Sequence, residues 1–245
     1  MTRIIAFSDL HGQLEILAQI KARAAEIRTE LCLIAGDLTQ FGNFDVARGI
    51  AARLKNFPCP VYFIHGNCDP PDALRAFMNA PGYIHSKTIE LDRYSLYGYG
   101  NVPPTPFGTY NEVPDEVIRS ELVPKASKPL ILVTHAPPLD INDLTRGGPH
   151  GGSLILRQVL EEYQPFLMIH GHIHEAPGYS VLNYVTNEIE QMVWFSSETS
   201  SIYTIENKIG RGTIINVAAA KLGRWVEIEV QKDQISITPK QLSLV

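Results

Sequence analysis

Basic clusters, cysteine pairs and long apolar runs are all missing from this 245-residue chain. Its 21 Lys and Arg residues are scattered among 26 Asp and Glu, for a formal net charge of -5. No positive surface is built to hold a polyanion, so duplex nucleic acid is disfavoured as a partner. No window approaches the roughly 20 continuous apolar residues of a membrane-spanning helix. The opening residues, Met1 to Gly12, have neither a cationic leader nor a small-residue cleavage site, and a carboxylate interrupts their apolar run at Asp9, which does not read as a signal peptide. Cys32, Cys59 and Cys68 are odd in number, with no CxxC pair to suggest a structural zinc or a redox site. Free thiols fit the cytoplasm, where we expect the protein. No GxSxG elbow appears, which argues against a seryl nucleophile.

The apolar fraction of 44% supplies a substantial core. The length fits one large domain, so residues 1–245 are expected to form a single unit. From Arg3 to Pro137 short β-type runs alternate with amphipathic stretches, the form of βαβ units in a layered α/β fold. Strands are predicted over Arg3 to Ser8, Leu31 to Ala35 and Val61 to Ile64, and helices over Gln13 to Arg28, Asn43 to Asn56 and Asp72 to Met78. Lys87 to Leu91 with Ser95 to Tyr99 reads as a hairpin. Leu130 to Thr134 and Phe166 to His170 read as strands and Ser153 to Tyr163 as a helix. The C-terminal runs Thr213 to Val217, Arg224 to Val230 and Gln234 to Thr238 suggest a second sheet packed on the first. Gly100 to Pro114, rich in proline and glycine, must be an ordered surface loop. The segment at about 175–209 reads as an insertion carrying a hairpin, with alternating stretches near Tyr179 to Thr186 and Gln191 to Phe195.

Asp, His and Asn recur at the C-terminal ends of the predicted strands, the edge where α/β folds place ligands. Asp9 and His11 leave the first strand with a spacing that points both side chains the same way. Gly36-Asp37 ends the second strand and Gly66-Asn67 the third. His135 follows PLILVT, and His172 and His174 follow FLMIHG. Each feature alone is weak, since a Gly-Asp after a strand is commonly a turn. Five strand ends that each deliver a nitrogen or oxygen donor point to a shared metal site. Imidazole, carboxylate and amide oxygen suit divalent manganese, iron, zinc, nickel or cobalt, and the lack of thiolate argues against a soft metal.

Asp9-x-His11, Gly36-Asp37, Gly66-Asn67, His135 and Gly171-His172-x-His174 occur in the order of the calcineurin-like metallophosphoesterases, which the chain resembles to about Ala219. NVPPTPFG, VTHAPP and GHIHEA are similar to a branch of small prokaryotic phosphoesterases predicted from sequence. The resemblance implies a four-layer αββα sandwich, two mixed sheets packed face to face and flanked by helices. It implies two divalent metal ions, manganese preferred: one held by Asp9, His11, Asp37 and His174, the other by Asp37, Asn67, His135 and His172. Such a pair keeps a formal positive surplus over Asp9 and Asp37, which attracts an anion and a hydroxide. The implied chemistry is in-line attack on phosphorus by a metal-bridging hydroxide, on a small phosphate ester or nucleotide. The same superfamily also includes a protein-docking scaffold and DNA-repair nucleases. The intact donor set favours a hydrolase over the scaffold, and the absence of a basic surface disfavours a nuclease. A dimer is compatible with everything read so far.

One departure stands out. Most of the wider superfamily carries His after the Asn of Gly-Asn, where this chain has Cys68. A thiol with a reference pKa of about 8.5 imitates a cationic imidazole donor poorly. The expectation is a phosphodiesterase, with Asp37, Asn67 and Cys68 at the catalytic centre. The competing reading of Cys68 is a small buried residue whose role water can take.

Other residues carry two readings each. Asp69 either orients a metal ligand or caps a helix. His170 reads as a hydrogen-bonded core histidine, and His65 and His85 as structural or surface residues. His150 lies in RGGPHGGS, where free backbone N–H groups and Ser153 can meet a phosphate oxygen, or where Ser153 simply caps a helix. Arg146 clamps a phosphate or is solvated. Asn101 lines the substrate cleft or forms a turn. Trp194 and Phe195 cover the cleft or pack against their own domain.

Overall fold

The computed structural model describes residues 1–194 and 201–242. In chain order the elements are β1 (Thr2–Phe7), α1 (Leu14–Glu26), β2 (Leu31–Ala35), α2 (Phe44–Lys55), β3 (Val61–Ile64), α3 (Pro71–Phe77), β4 (Lys87–Glu90), β5 (Ser95–Tyr99) and α4 (Asp115–Glu121). They continue with β6 (Leu130–Thr134), α5 (Leu154–Tyr163), β7 (Leu167–His170), β8 (Gly178–Asn183), β9 (Ile189–Val193), β10 (Tyr203–Glu206), β11 (Arg211–Asn216), β12 (Arg224–Val230) and β13 (Gln234–Gln241). The Phe195 end of the expected hairpin and the polar stretch at 196–200 lie outside the described residues.

Two mixed sheets face each other. One has six strands in the order β10-β13-β12-β1-β2-β3, the other seven in the order β4-β5-β6-β7-β11-β8-β9. Alternation along each buried strand feeds two cores at once. Ile4, Ala6, Leu33 and Ala35 point between the sheets, onto Ile131, Val133, Ile169 and Ile215. Their neighbours Ile5, Phe7, Cys32 and Ile34 point outward, under Leu17 and Ile20 of α1, Ile50 and Leu54 of α2 and Phe77 of α3. On the far side Tyr97, Leu132, Met168 and Ile214 lie under Ile118 of α4 and Leu156, Val159 and Leu160 of α5. Helix, sheet, sheet, helix is the layering that the resemblance implies, and Cys32 is a buried residue of the outer core.

The C-terminal strands depart from expectation, because they do not form the second sheet by themselves. β11 runs parallel to β7 in the seven-stranded sheet, while β12 and β13 return to the other sheet, with Ile4 opposite Ile228. Sheet membership is set by pairing between distant strands, which local composition does not report. The inserted segment does contain a hairpin, β8 with β9, which extends the edge of the seven-stranded sheet. Trp194 is buried beside Tyr179 and Tyr203 in the core between the sheets, so it packs against its own domain rather than covering a cleft. Two elements were not anticipated. α4, DEVIRSE, offers only two adjacent apolar residues and no apolar stripe, and β10 is an edge strand of four residues.

Candidate metal centre

The strands that carry the candidate donors come from both sheets, and their C-terminal ends meet at one end of the sandwich. Asp9, His11, Asp37 and Asn67 leave β1, β2 and β3; His135, His172 and His174 leave β6 and β7. The loops are stitched together directly. Asp9 N donates to Gly36 O at 3.0 Å, His11 N to Asp37 O at 2.9 Å and Gly171 N to His135 O at 3.0 Å. Across the sheets His135 Nδ1 donates to Ala35 O at 2.7 Å.

Distances place the donor atoms around one volume. His174 Nε2 is 3.0 Å from Asp9 Oδ1, and His11 Nε2 is 3.9 Å from Asp9 Oδ1 and 3.8 Å from Asp37 Oδ2. His135 Nε2 is 3.5 Å from Asp37 Oδ2 and 2.9 Å from Asn67 Oδ1. Three overlapping sets of ligand atoms, Asp9 with His11 and His174, His11 with Asp37 and Cys68, and Asp9 with Asp37 and His135, each lie within 4.8 Å of one another. Asp9 and Asp37 therefore each belong to two sets. The His172 ring stands beside these sets, edge-on to His135 with ring centres 5.0 Å apart.

Strain is concentrated here. Asp9, His11, Asp37 and His172 all have left-handed backbone, with φ of 54°, 46°, 51° and 69°. Such conformations persist when surrounding structure enforces them, and they collect at functional sites. The glycines before the donors have a steric cause. A Cβ on Gly66 would lie 2.6 Å from Asp37 N and 2.7 Å from His135 Nε2, and one on Gly171 would lie 2.6 Å from Asp9 Oδ2.

Hydrogen bonding orients the donors. Asn67 Nδ2 donates to Thr109 Oγ1 at 2.9 Å, which turns Oδ1 inward, and Thr109 Oγ1 in turn donates to Glu112. Glu112 also accepts from Thr105 N at 2.9 Å and Thr109 N at 2.7 Å, tying the Gly100 to Pro114 loop into the ordered form expected of it. Because Ala35 O can only accept, His135 carries its proton on Nδ1 and its neutral form aims the Nε2 lone pair at Asn67 Oδ1 and Asp37 Oδ2. Either a proton on Nε2 or a metal cation between these three atoms satisfies them. Both ring nitrogens of His11 are buried without a hydrogen bond, and the buried Asp9 Oδ1 has only His174 Nε2, at 3.0 Å, beside it. The residues fit divalent metal: hard oxygen and imidazole donors, buried, preoriented and unsatisfied.

Electrostatics agree. Burial works against charge on Asp37, yet His135 outweighs it and holds the carboxyl below its usual range. Burial likewise opposes charge on His135, but Asp37 raises its pKa to about 9. A proton thus stands where a stronger cation fits. His172 is pushed down to about 4 by burial and by His135, leaving a neutral imidazole.

Asp69 resolves toward orientation rather than capping. Buried, it accepts from Leu38 N at 3.1 Å, Thr39 N at 2.7 Å, Thr39 Oγ1 at 2.9 Å and Gly66 N at 3.0 Å, clasping the two loops that present Asp37 and Asn67. The phosphate cradle before α5 does not form. Gly151 N and Gly152 N donate to Asp143, Ser153 N to Pro137 O, and Ser153 Oγ caps Leu156 N at 3.2 Å. His150 rests its Nδ1 on Asp143 at 2.7 Å, and Arg146 is exposed. Asn101 uses both ends of its amide, with Oδ1 2.9 Å from His65 Nε2 and Nδ2 donating to Glu121 at 3.2 Å. His65 and His85 pack against each other behind the site, with ring centres 4.6 Å apart and planes inclined at 55°. His170 is in the core as expected, but its only hydrogen-bond contact is a long one, Nδ1 to Gly171 O at 3.4 Å, and Nε2 has none. Sequence reasoning missed Thr109 and Glu112, and also Lys221, whose backbone N donates to Asp9 O at 3.0 Å and whose charge acts on His11. No local signal ties a residue that far along the chain to the first strand.

The profile of the calcineurin-like phosphoesterases matches residues 2–176, which run from β1 past His174. The chain belongs to the calcineurin-like phosphoesterase family. An uncharacterised protein of Methanocaldococcus jannaschii, MJ1162, is 30% identical over 182 residues, covering 71% of this chain and 81% of that one. Two solved structures share the fold. TT1561 of Thermus thermophilus superposes with a TM-score of 0.65 at 15% identity, covering 93% of each chain. A dimetal phosphatase from Danio rerio does so at 0.61 and 11% identity, covering 98% of this chain and 96% of that one. Calcineurin-like phosphoesterases are metal-dependent hydrolases of phosphoester bonds, and the donor clusters of this member are of the kind that such chemistry requires. Among the described residues no helix is long and apolar enough to cross a membrane.

Proposed function

We propose that this phosphoesterase is a two-metal phosphodiesterase acting on a small phosphate ester or nucleotide. The observation that carries the reading is the convergence of His135 Nε2, Asn67 Oδ1 and Asp37 Oδ2 beside the buried Asp9 Oδ1 and the unsatisfied His11 ring. Asp9, His11, Asp37 and His174 would hold one cation, and Asp37, Asn67, His135 and His172 the other, with manganese our first choice. When bound, such a pair supplies ionised water at neutral pH and neutralises charge on the phosphoryl oxygens.

The chain's own groups do the positioning. Ala35 O and Thr109 fix which atoms of His135 and Asn67 face the centre. Asp37 uses Oδ1 to accept from Cys68 N at 2.7 Å, and its Oδ2 would remain free to serve as a ligand. Cys68 Sγ faces His11 and Asp37, and burial with the nearby Asp37 carboxylate raises its pKa far above the thiol range. A neutral thiol is a weak donor and protonates a basic alkoxide poorly, which favours diesters and activated esters over ordinary monoesters. Cys32, Cys59 and Cys68 are all free, in keeping with a reducing compartment, and we place the protein in the cytoplasm. We read residues 1–245 as one domain, because β1 and β13, from opposite ends of the chain, share a sheet.

The test is hydrolysis of bis(p-nitrophenyl) phosphate with added manganese, compared with Asp37→Asn. The expected result is manganese-dependent turnover that the variant loses. Turnover that survives loss of this carboxylate would place the chemistry elsewhere, and none in either protein would favour a docking scaffold of the same fold.

A further inference from the structure

Among the described residues the exposed aromatic side chains are three: Phe41 at 50%, Phe107 at 82% and Tyr110 at 45% exposure. All three lie in the two loops that embrace Gly66 to Asp69. Phe41 N donates to Cys68 O at 2.9 Å, and Tyr110 N donates to Asn67 O at 3.1 Å. The two backbones are thus pinned to consecutive residues, one a candidate metal ligand and the other the thiol that faces the centre. Their rings meet edge to face, 6.1 Å apart and inclined at 62°. An edge-to-face pair leaves a ring face open to a third flat group.

Placement of this kind is unfavourable without a purpose. Half-exposed rings keep apolar surface in water, and apart from Phe107 in the same loop as Tyr110 every other described aromatic is buried or partly buried. The loops themselves are firmly held. Thr39 N and Oγ1 bond to Asp69 beneath Phe41, Asn111 Nδ2 donates to Gly66 O and Asp69 O at 2.8 Å each, and Glu112 gathers Thr105 and Thr109 around Tyr110. The rings are presented by ordered backbone on the Asn67 and Cys68 side of the centre, while Lys221 lies on the Asp9 and His11 side.

We infer that Phe41 and Tyr110 form a stacking platform for the nucleobase of a small nucleotide ester whose phosphate sits at the metal centre. The inference rests on the phosphoesterase reading above and narrows its substrate class. Base stacking on aromatic side chains needs no hydrogen-bond code, so it selects for a base without selecting sharply among bases.

The experiment compares adenosine 5′-monophosphate with ribose 5-phosphate, which differ by the base, through calorimetric titration of the manganese-supplemented protein. The expected result is about tenfold tighter binding of the nucleotide. In Phe41→Ala/Tyr110→Ala that advantage should vanish with ribose 5-phosphate affinity unchanged, and in Phe41→Tyr/Tyr110→Phe it should remain. Equal affinities in the wild type, an advantage untouched by the double alanine variant, or no binding of either ligand would each overturn the platform. Failure of the hydrolase reading looks different: no turnover of bis(p-nitrophenyl) phosphate, with the base preference still present and still lost in the double alanine variant.

Discussion

Gly66→Ala tests the tightness of the centre with one methyl group. The added Cβ would lie 2.6 Å from Asp37 N and 2.7 Å from His135 Nε2 and would collide with Asp37 Oδ1, whereas ordinary contact begins at 3.4 Å. The exits of β2 and β3 would have to separate by about 0.8 Å, the difference between 3.4 and 2.6 Å. One obstructing atom is backbone and the others belong to candidate ligands, so no flexible side-chain end can yield. Overpacking of this kind costs about 1–3 kcal/mol of stability. The effect on function should be larger in proportion, since displacing catalytic groups by about 1 Å costs on the order of 100-fold in rate. Urea unfolding and kcat/KM on bis(p-nitrophenyl) phosphate measure the two effects separately. Gly49→Ala in the middle of α2 is the control, because its Cβ would meet only Arg53 Nη1 at 3.5 Å and should add about 0.5–1 kcal/mol of stability. A Gly66→Ala protein with activity within about twofold of wild type would refute the claim that these loops hold the donors at fixed separation.

Further expectations follow from single contacts. Cys68→His should raise monoesterase activity relative to diesterase activity, and an unchanged ratio would return Cys68 to the role of a small tolerated residue. Thr109→Val frees Asn67 to rotate, so manganese affinity should fall by about tenfold, as measured by titration, with little change in fold. Burial holds His65 and His85 neutral, down to about 3 and about 4, and His85 Nδ1 is pinned as an acceptor by Gly100 N at 3.0 Å. Depressed histidine pKa values mean that the unfolded chain takes up protons first. Stability present above the ordinary value of 6.5 is therefore lost as pH falls toward 4, by about 1.4 kcal/mol per pH unit for each group. His85→Asn keeps an acceptor for Gly100 and should remove one proton's share of that slope in urea midpoints taken from pH 7 to pH 5; an unaltered slope would mean that His85 is not held neutral.

Legibility followed the physics of each element. β2, β3 and β6 were readable to the residue because each is a short apolar run of a parallel strand bounded by Pro, Gly or polar residues, and β5 because it is the second arm of a hairpin. The candidate donors stood out for a similar reason, each lying just past a strand. α4, DEVIRSE, offers only two adjacent apolar residues and β10, YTIE, a single alternation, and before α5 Asp143, with no motif around it, takes Gly151 N on its carbonyl and Gly152 N on its buried carboxylate, the N–H groups that a phosphate would need. Thr109, Glu112 and the Phe41 and Tyr110 pair carry no pattern at all; their importance lies in what stands next to them.

The order of residues along the chain determined which candidate donors exist, that oxygen and imidazole rather than thiolate would dominate, and that glycine would precede Asp37, Asn67 and His172. Tertiary structure alone decided that these ends share one crevice. That depends on β12 pairing with β1 and on His135 reaching Ala35 across the gap between the sheets, contacts between residues 100 or more positions apart. Close packing over such separations is settled by the collective burial of two sheet faces, a property that no local stretch of residues possesses.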